Sequence, residues 1–493
     1  MGPFAFDNSY VRLPDRFYAR LDPTPVREPR LIRVNVPLAQ ELGIDPKQLE
    51  TPDGMEVLAG NRIPDGAEPL AMAYAGHQFG NWVPQLGDGR AILLGEVRDR
   101  DGNRRDIQLK GSGPTPFSRN GDGRAALGPV LREYIVSEAM AALGVPTTRS
   151  LAMVETGEKI LRQDGFLPGA VLTRVSKSHV RVGTFEFFAN RGDVEGTRVL
   201  ADYVIARLYP DAARADNAYR ALLDLVIAQT AHLIAQWQLI GFIHGVMNTD
   251  NVSIAGETID YGPCAFMDAY DPKTVFSSID QGGRYAYINQ PRIAHWNLVR
   301  LAQALLPLLD PNEETALKSG QEAINGYPAH FEAAYFAGLR RKFGFLETQD
   351  GDLELIGDFF KLMAAARSDF TLTFRRLCDC AQGGADADAI VGDLLGDRAG
   401  FDAWATRWRA RLAREGATRS AQEAAMRAAN PAIIPRNHRI EAVIVAAQER
   451  DDFAPLDELL NALSSPFEDR PEFAAFEDPP TPEEIVRQTF CGT

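Results

Sequence analysis

An amide and a carboxylate that could bind one metal ion lie within residues 244–262, whose sequence is HGVMNTDNVSIAGETIDYG. Asn251 and Asp260 flank a segment in which residues 252–254 and 258–259 are predicted to form short strands around an Ala-Gly turn. Such a hairpin would direct both side chains out of the same end. Because amide and carboxylate oxygens suit a hard divalent ion that also holds nucleotide phosphates, the segment predicts a metal-dependent nucleotide site.

The same segment resembles two signatures of protein kinases, the catalytic loop H-R-D-x-x-x-x-N and the D-F-G triplet. HGVMNTDN places Asn251 at the metal-binding asparagine, and DYG places Asp260 at the metal-binding aspartate. Val246 stands where kinases have their catalytic aspartate, and a valine cannot accept a proton. Asp250 is the nearest carboxylate that could replace it. Two coincidental turns are the alternative interpretation, which either motif alone would favour; both motifs in order favour a nucleotide site.

A glycine turn, a hairpin and a lysine precede this loop in the chain. The turn comes directly before a predicted strand at 91–97, and its residues that could approach phosphate oxygens are Gly87, Gly89 and Arg90. A second predicted strand, 105–110, ends at Lys110. The N-lobe of a kinase has this order, and there a strand lysine binds phosphates. An ordinary hairpin turn and a solvated lysine are the alternatives, which the downstream loop disfavours.

A glycine-rich loop at 111–123 and a predicted helix at 129–143 follow. Two loop residues could reach a nucleotide, Asp122 and Gly123. The helix lies where kinases place the glutamate that pairs with the strand lysine, and Glu133 and Glu138 compete for that role. Five positions apart, they face different sides of the helix, Glu138 among apolar residues and Glu133 on the more polar side. Periodicity leaves the choice open.

A local basic cluster occurs at residues 166–188, which we expect to be strand and turn. Its members are Arg174, Lys177 and Arg181. Such residues could clamp phosphates through charge-assisted hydrogen bonds. Scattered, solvated bases are the alternative.

Composition bounds the class of protein. The 493 residues include 52 Lys and Arg against 67 Asp and Glu, and the resulting net charge of −15 argues against general affinity for nucleic acid or anionic membranes. The four cysteines make neither a disulfide framework nor a zinc site. The N-terminal residues lack an apolar leader. The apolar segment 222–243 carries enough polar residues to indicate a buried helix rather than a membrane span. We therefore expect a cytoplasmic protein.

Several long blocks identify a family that this chain resembles over nearly its whole length. They include YAGHQFG, PQLGDGRA, REYIVSEAM, HVRVGTFEFF, HGVMNTDN, DYGP and NPAIIPRNH, and they are similar to the selenoprotein O family. The resemblance implies an α+β, protein-kinase-like bilobed fold with a mostly helical C-lobe and a C-terminal extension. It also implies an enzyme that binds ATP in a flipped orientation and transfers AMP, or in some members UMP, to protein hydroxyls.

The resemblance also implies roles for residues of this chain. The nucleotide-contacting positions would be Gly87, Gly89, Arg90, Lys110, Asp122, Gly123, Arg174, Arg181 and Asp260. Asn251 and Asp260 would bind Mg²⁺ or Mn²⁺, Asp250 would accept the proton, and Glu133 would pair with Lys110. Eukaryotic members carry selenocysteine near the C-terminus, where this chain has Cys491.

Three functions follow as hypotheses. The first is transfer of AMP from ATP to Ser, Thr or Tyr hydroxyls of proteins; the second is an atypical kinase that uses Asp250 as a displaced base; the third is a non-catalytic pseudokinase. Val246 disfavours the second, and the metal-binding pair disfavours the third. The expected divisions are an N-lobe with its extension at 1–182, a C-lobe core at 183–345 and a helical extension at 346–493. A Cys264–Cys491 disulfide that tethers the tail is a further hypothesis, against which two reduced thiols are the simpler expectation.

Overall fold

A mostly antiparallel sheet dominates the first part of the chain in the computed structural model, which describes residues 2–163 and 165–489. The strands of the described residues are β1 Tyr18–Arg20, β2 Arg30–Val34, β3 Leu70–Met72, β4 Gly76–Gln78, β5 Asn81–Val83, β6 Ala91–Arg98, β7 Arg104–Lys110, β8 Ala125–Ala126, β9 Arg149–Arg162, β10 Gly165–Ser176, β11 Phe242–Ile243 and β12 Ala265–Phe266. The main sheet has the order β1-β3-β6-β7-β10-β9-β2, with β8 paired to β10. The pairs β4–β5 and β11–β12 form two small separate sheets.

Helices dominate the rest. They are α1 Val36–Glu41, α2 Pro46–Leu49, α3 Pro52–Ala59, α4 Leu127–Ala142, α5 Val182–Ala189, α6 Val194–Leu208, α7 Ala218–Ile240, α8 Gln290–Leu309, α9 Glu313–Asn325, α10 Tyr327–Lys342, α11 Asp352–Ala366, α12 Phe370–Asp379, α13 Ala385–Leu394, α14 Arg398–Leu412, α15 Arg419–Ala429, α16 Asn437–Arg450 and α17 Ala454–Leu463. The fold therefore combines helices with an antiparallel sheet, in agreement with the predicted α+β class. The kinase-like arrangement of lobes and the three predicted divisions stay predictions.

Two elements fix the residues of interest. Strand β7 lies between β6 and β10, so that Lys110 is paired with Ala91 on one side and Leu172 on the other. Helix α4 packs against β9 and β10 with nearly all of its length buried. A lysine at the end of a central strand and a glutamate on a buried helix are thereby brought to the same side of the sheet.

Helix α7 leads the chain into the loop that carries Asn251. Most of its apolar residues are buried and it packs against α8 and α10, as the sequence predicts for a buried helix. The helix ends at Gly241, which has a φ of 73° and so adopts the left-handed conformation typical of a helix end. Among the described residues, no helix is both long and apolar enough to cross a membrane.

Three local predictions are wrong. Residues 252–259 do not form a hairpin; a turn follows Ser253, which pairs with Arg181, while Thr258 pairs with Thr147. These segments are too short to satisfy their backbone against each other, and distant backbone satisfies them instead. The predicted turn at the end of 166–188 is helix α5. The helical pattern of residues 313–344 predicts an unbroken helix, but the structure divides it into α9 and α10 at Gly326.

Candidate active site

One cleft of about 760 Å³ contains nearly all of the predicted site residues. Its walls come from the turn before β6, the end of β7, the loop before α4, β10 and the loop after α7. The predicted residues that line it are Gly87, Gly89, Arg90, Lys110, Asp122, Gly123, Arg174, Arg181, Asp250, Asn251 and Asp260. Lys177 does not belong to this group, because its half-exposed amine lies beside Glu257 instead, 3.9 Å away.

A buried set of ion pairs lies beneath the cleft. Glu133, only 1% exposed, accepts the ammonium of Lys110 on Oε2 and the Nε of Arg174, at 2.5 Å, on Oε1. Burial alone would raise the pKa of Glu133, but Arg174 and Lys110 outweigh it and lower that pKa. Burial and the neighbouring Arg174 lower the pKa of Lys110 to about 8, against the opposing charge of Glu133. Lys110 and Arg174 are therefore held in place by one carboxylate.

Glu138, the alternative partner, lies in different surroundings. Its carboxylate accepts hydrogen bonds from Asn35 Nδ2 at 2.7 Å, Arg149 Nη2 at 2.7 Å and the Ser150 amide at 2.9 Å. These contacts join α4 to the start of β9 and to the N-terminal end of α1. The structure thus places Glu133 against Lys110 and Glu138 in a structural junction.

Asp260 has an unusual backbone and two cationic partners. Its φ of 61° lies in the left-handed region, which is uncommon for residues other than glycine. Oδ1 accepts from Arg174, and Oδ2 accepts from Arg181 Nη1 at 2.6 Å. Burial would raise the pKa of Asp260, but these two arginines and Lys110 hold it well below its usual range. The carboxylate is therefore ionised and faces the cleft.

The loop after α7 presents Asp250 and Asn251 from a short 3₁₀ turn at Thr249–Asn251. Asp250 Oδ2 accepts from Gln78 Nε2 at 3.3 Å, whereas Oδ1 is buried without a hydrogen-bond partner among the described residues. Burial raises the pKa of Asp250 to about 6, although Arg181 opposes this shift. Asp250 is thus a carboxylate at the cleft with one oxygen that lacks a hydrogen-bond donor among the described residues.

The cleft presents two oxygen atoms that could bind a divalent metal ion together with substrate phosphates. Asn251 donates its Nδ2 to the carbonyl oxygen of Val246 at 3.0 Å, which leaves its side-chain oxygen as the available ligand. Each oxygen of Asp260 accepts one arginine and retains a second lone pair. Among residues 2–163 and 165–489, no group of three His, Cys, Asp or Glu side chains could hold a metal ion. One carboxylate and one amide oxygen suit Mg²⁺ or Mn²⁺ only where substrate phosphates complete the shell.

The glycine turn is covered by the loop before α4. Gly87 has a φ of 98°, and a Cβ there would lie 2.4 Å from the ring of Phe117; a Cβ on Gly89 would lie 2.9 Å from the Phe117 carbonyl oxygen. Side chains at both positions are therefore excluded by the close approach of the two loops. Asp122 lines the cleft, but its carboxylate is paired with Arg162 at 2.7 Å.

Sequence reasoning missed several residues that line the cleft. The guanidinium of Arg181 lies 4.6 Å from the ring centre of Tyr74, and the Gln78 amide contacts Asp250. Phe79 and Phe117 also line the cleft. The aromatic, amide-rich run EPLAMAYAGHQFG was the available signal for three of them, but nothing in the sequence says which loop it contacts.

The cysteine hypothesis stays a prediction. Cys264 is a buried thiol, and burial raises its pKa to about 12. Cys491 lies outside the described residues.

Comparison with known proteins gives the class of protein first. The chain is 64% identical over 490 residues to a protein nucleotidyltransferase YdiU from Bradyrhizobium sp. (strain ORS 278), covering 99% of each chain. Proteins of the same name from Rhodopseudomonas palustris (strain HaA2) and Methylorubrum extorquens (strain PA1) are each 63% identical, again over 99% of both chains.

The family follows from a second match. The model of the family described as "Protein adenylyltransferase SelO" matches residues 3–464. The chain therefore belongs to the SelO family of protein adenylyltransferases, which confirms the resemblance stated above.

Proposed function

We propose that this enzyme transfers AMP from ATP to Ser, Thr or Tyr hydroxyls of acceptor proteins, with release of pyrophosphate, on a kinase-like scaffold. The observation that carries the proposal is Asp250, whose Oδ1 is unpartnered among the described residues in the same cleft as Asn251 and Asp260. Val246 leaves the position of the kinase base without a proton acceptor. The names of the similar proteins support nucleotidyl transfer in general.

Three cations would hold the triphosphate. Lys110 and Arg174 are fixed by Glu133, and Arg181 is fixed by Asp260 and by the Asp250 carbonyl oxygen, which accepts its Nη1 at 2.7 Å. Side chains already held in place lose little entropy when a phosphate binds. The flipped orientation of ATP, with its γ-phosphate inside and its α-phosphate towards the acceptor, comes from the family resemblance.

Asn251 and Asp260 would hold Mg²⁺ or Mn²⁺, which would neutralise charge on the reacting phosphate and the departing pyrophosphate. Asp250 would accept the proton of the incoming hydroxyl on its carboxylate. The two glycines allow the Phe117 loop to cross the turn closely, and the phosphates would approach the backbone of that turn, as the family resemblance implies. ATP is thus a substrate, and the acceptor is a protein.

ATP labelled separately at the α- and γ-phosphorus tests the reaction. Label that enters protein from the α position alone, with the mass gain of AMP, supports the proposal. Label from the γ position would make the protein a kinase, and no label from either position with intact ATP binding would favour a pseudokinase. UTP in place of ATP decides between AMP and UMP, and Asp250→Asn is the matched variant that should lose transfer while it retains ATP binding.

A further inference from the structure

A surface beside Asp250 is formed by two segments that both donate hydrogen bonds to the side-chain amide of Asn248. These segments, here called the acceptor rim, are the β4–β5 hairpin at 76–83 and residues 276–289. The Phe79 amide donates to Asn248 Oδ1 at 2.9 Å, and the Tyr285 hydroxyl donates to the same oxygen at 2.6 Å. Asn248 lines the cleft, and Gln78 of the hairpin contacts Asp250. The rim is therefore continuous with the side of the cleft that holds the proposed proton acceptor.

Large apolar side chains are exposed on this rim. Ile279, which also lines the cleft, is 61% exposed; Ile288 is 59% exposed and Trp82 is 36% exposed. Exposed apolar residues that occur together, with polar groups around them, are typical of protein-contact surfaces.

Two arginines share one aromatic ring next to the rim. The guanidinium of Arg284 lies 4.8 Å from the ring centre of Trp296, and that of Arg300 lies 5.2 Å from it. A Cβ on Gly80, at the hairpin tip, would lie 3.6 Å from the Arg284 guanidinium, so this charge adjoins the hairpin. The ring holds both cations in place without neutralising them.

Neither arginine forms a direct ion pair in the part of the chain that the structure describes. No carboxylate there lies within 4.0 Å of either guanidinium, and the Nε of each is buried without a hydrogen-bond partner. The nearby acids are otherwise engaged: Glu186 contacts His77 at 2.7 Å, and Asp280 accepts the backbone amides of Arg284 and Tyr285. Arg300 acts on Glu186 only at longer range, where it opposes the burial that raises the pKa of that carboxyl. In a chain with a net charge of −15, two guanidinium groups without a direct ion pair beside the hairpin stand out.

We propose that Arg284 and Arg300, with Trp296 between them, form a subsite for an acidic side chain of the acceptor protein, near the hydroxyl that is modified. The inference rests on the proposed function, which requires a protein acceptor at Asp250. A carboxylate matches the fork of N–H groups that a guanidinium offers, and an arginine stacked on an indole is already ordered for that contact. The exposed Ile279 and Trp82 would contact apolar parts of the same acceptor.

Peptide binding tests the subsite without reference to catalysis. The probes are short fluorescent peptides with a central serine, flanked by Glu in one and by Gln in the other. The native enzyme should bind the Glu peptide at least about tenfold more tightly, the lower end of the effect of one charge-assisted hydrogen bond, and salt should reduce the difference. Arg284→Gln with Arg300→Gln should abolish the preference, whereas Arg292→Gln, an exposed arginine on the same helix, should retain it.

Two further measurements keep the outcomes separate. ATP binding and thermal unfolding check that the double variant is folded, and the Arg284→Lys, Arg300→Lys pair, which keeps the charge, should keep part of the preference. Equal binding of the two peptides by the native enzyme, or an unchanged preference in the folded Gln variant, overturns the subsite. Failure of the proposed function is a different result, in which the Glu preference is present but no α-label reaches any peptide.

Discussion

Two glutamates on one helix provide a sharp test of the candidate site, because only one of them contacts the predicted phosphate-binding lysine. Glu133 binds Lys110 and Arg174 beneath the cleft, whereas Glu138 binds Arg149 and its neighbours at the junction of α4 with β9. Replacement of either by glutamine removes one negative charge from α4, fully buried at Glu133 and largely buried at Glu138, and changes the side-chain shape very little. The pair therefore separates loss of a buried carboxylate in general from loss of the one that positions Lys110.

The magnitude follows from the hydrogen bonds. Glu133 accepts one cation on each oxygen, and glutamine has a single acceptor oxygen, so its amide nitrogen must face either Lys110 or Arg174. Loss of one charge-assisted hydrogen bond costs about 2 kcal/mol, which corresponds to a roughly thirtyfold fall in kcat/KM. The lost negative charge would also let the pKa of Lys110 fall below its value of about 8 and so reduce the charge available to a phosphate.

The assay is transfer of label from α-labelled ATP at several ATP concentrations, with thermal unfolding of each variant in parallel. Glu133→Gln should lose roughly thirtyfold in kcat/KM. Glu138→Gln should unfold at a lower temperature but stay within about threefold of the native kcat/KM, because its partners do not line the cleft. Equal losses in the two variants, or a Glu133→Gln enzyme as active as the native one, would refute the role of Glu133.

Further predictions concern charge and space. Asp260→Ala should abolish α-label transfer even in excess magnesium or manganese; undiminished turnover would remove Asp260 from the site. Gly87→Ala should raise the KM for ATP far more than Gly102→Ala. Both glycines have a positive φ, but only at Gly87 would a Cβ meet the Phe117 ring. Equal KM values in the two variants would contradict this. Burial lowers the pKa of Lys342 from 10.5 to about 7, which corresponds to about 5 kcal/mol. Between these two pKa values the folded chain binds fewer protons than the unfolded chain, so the free energy of unfolding should rise from about pH 7 to about pH 10. Lys342→Met should flatten this rise when it is measured by denaturant unfolding. An unchanged slope would refute the lowered pKa of Lys342.

The sheet and the main helices were predictable because their signals are local. The strand predicted at 91–97 is Ala91–Arg98, and the helix predicted at 129–143 is Leu127–Ala142. A short apolar run bounded by turn residues determines the strand, and a proline near the first turn helps determine the helix, so both signals are local. The lysine at the end of β7 was found for the same reason.

The parts that sequence could not supply depend on contacts between distant segments. The sequence of residues 252–259 predicts a hairpin, yet Ser253 and Thr258 pair with residues far away in the chain. Helical periodicity could not choose between Glu133 and Glu138, because both are largely buried and each has cationic partners on other elements. The sequence does not predict the role of Gln78, because its contact with Asp250 joins a hairpin to a loop more than a hundred residues later.

Arg181 shows why the proposed roles in the cleft are better understood as one unit than as separate contributions. The sequence suggested a phosphate clamp, but its Nη1 also donates to Asp260 Oδ2 at 2.6 Å and to the Asp250 carbonyl oxygen at 2.7 Å. The ring of Tyr74 supports the same guanidinium. A shift of Arg181 would therefore move both the carboxylate that could bind the metal and the residue that could accept the proton. Because Asp250 and Asp260 share this donor, the position of the base and the charge at the phosphate depend on each other, and substitutions among these residues are not independent.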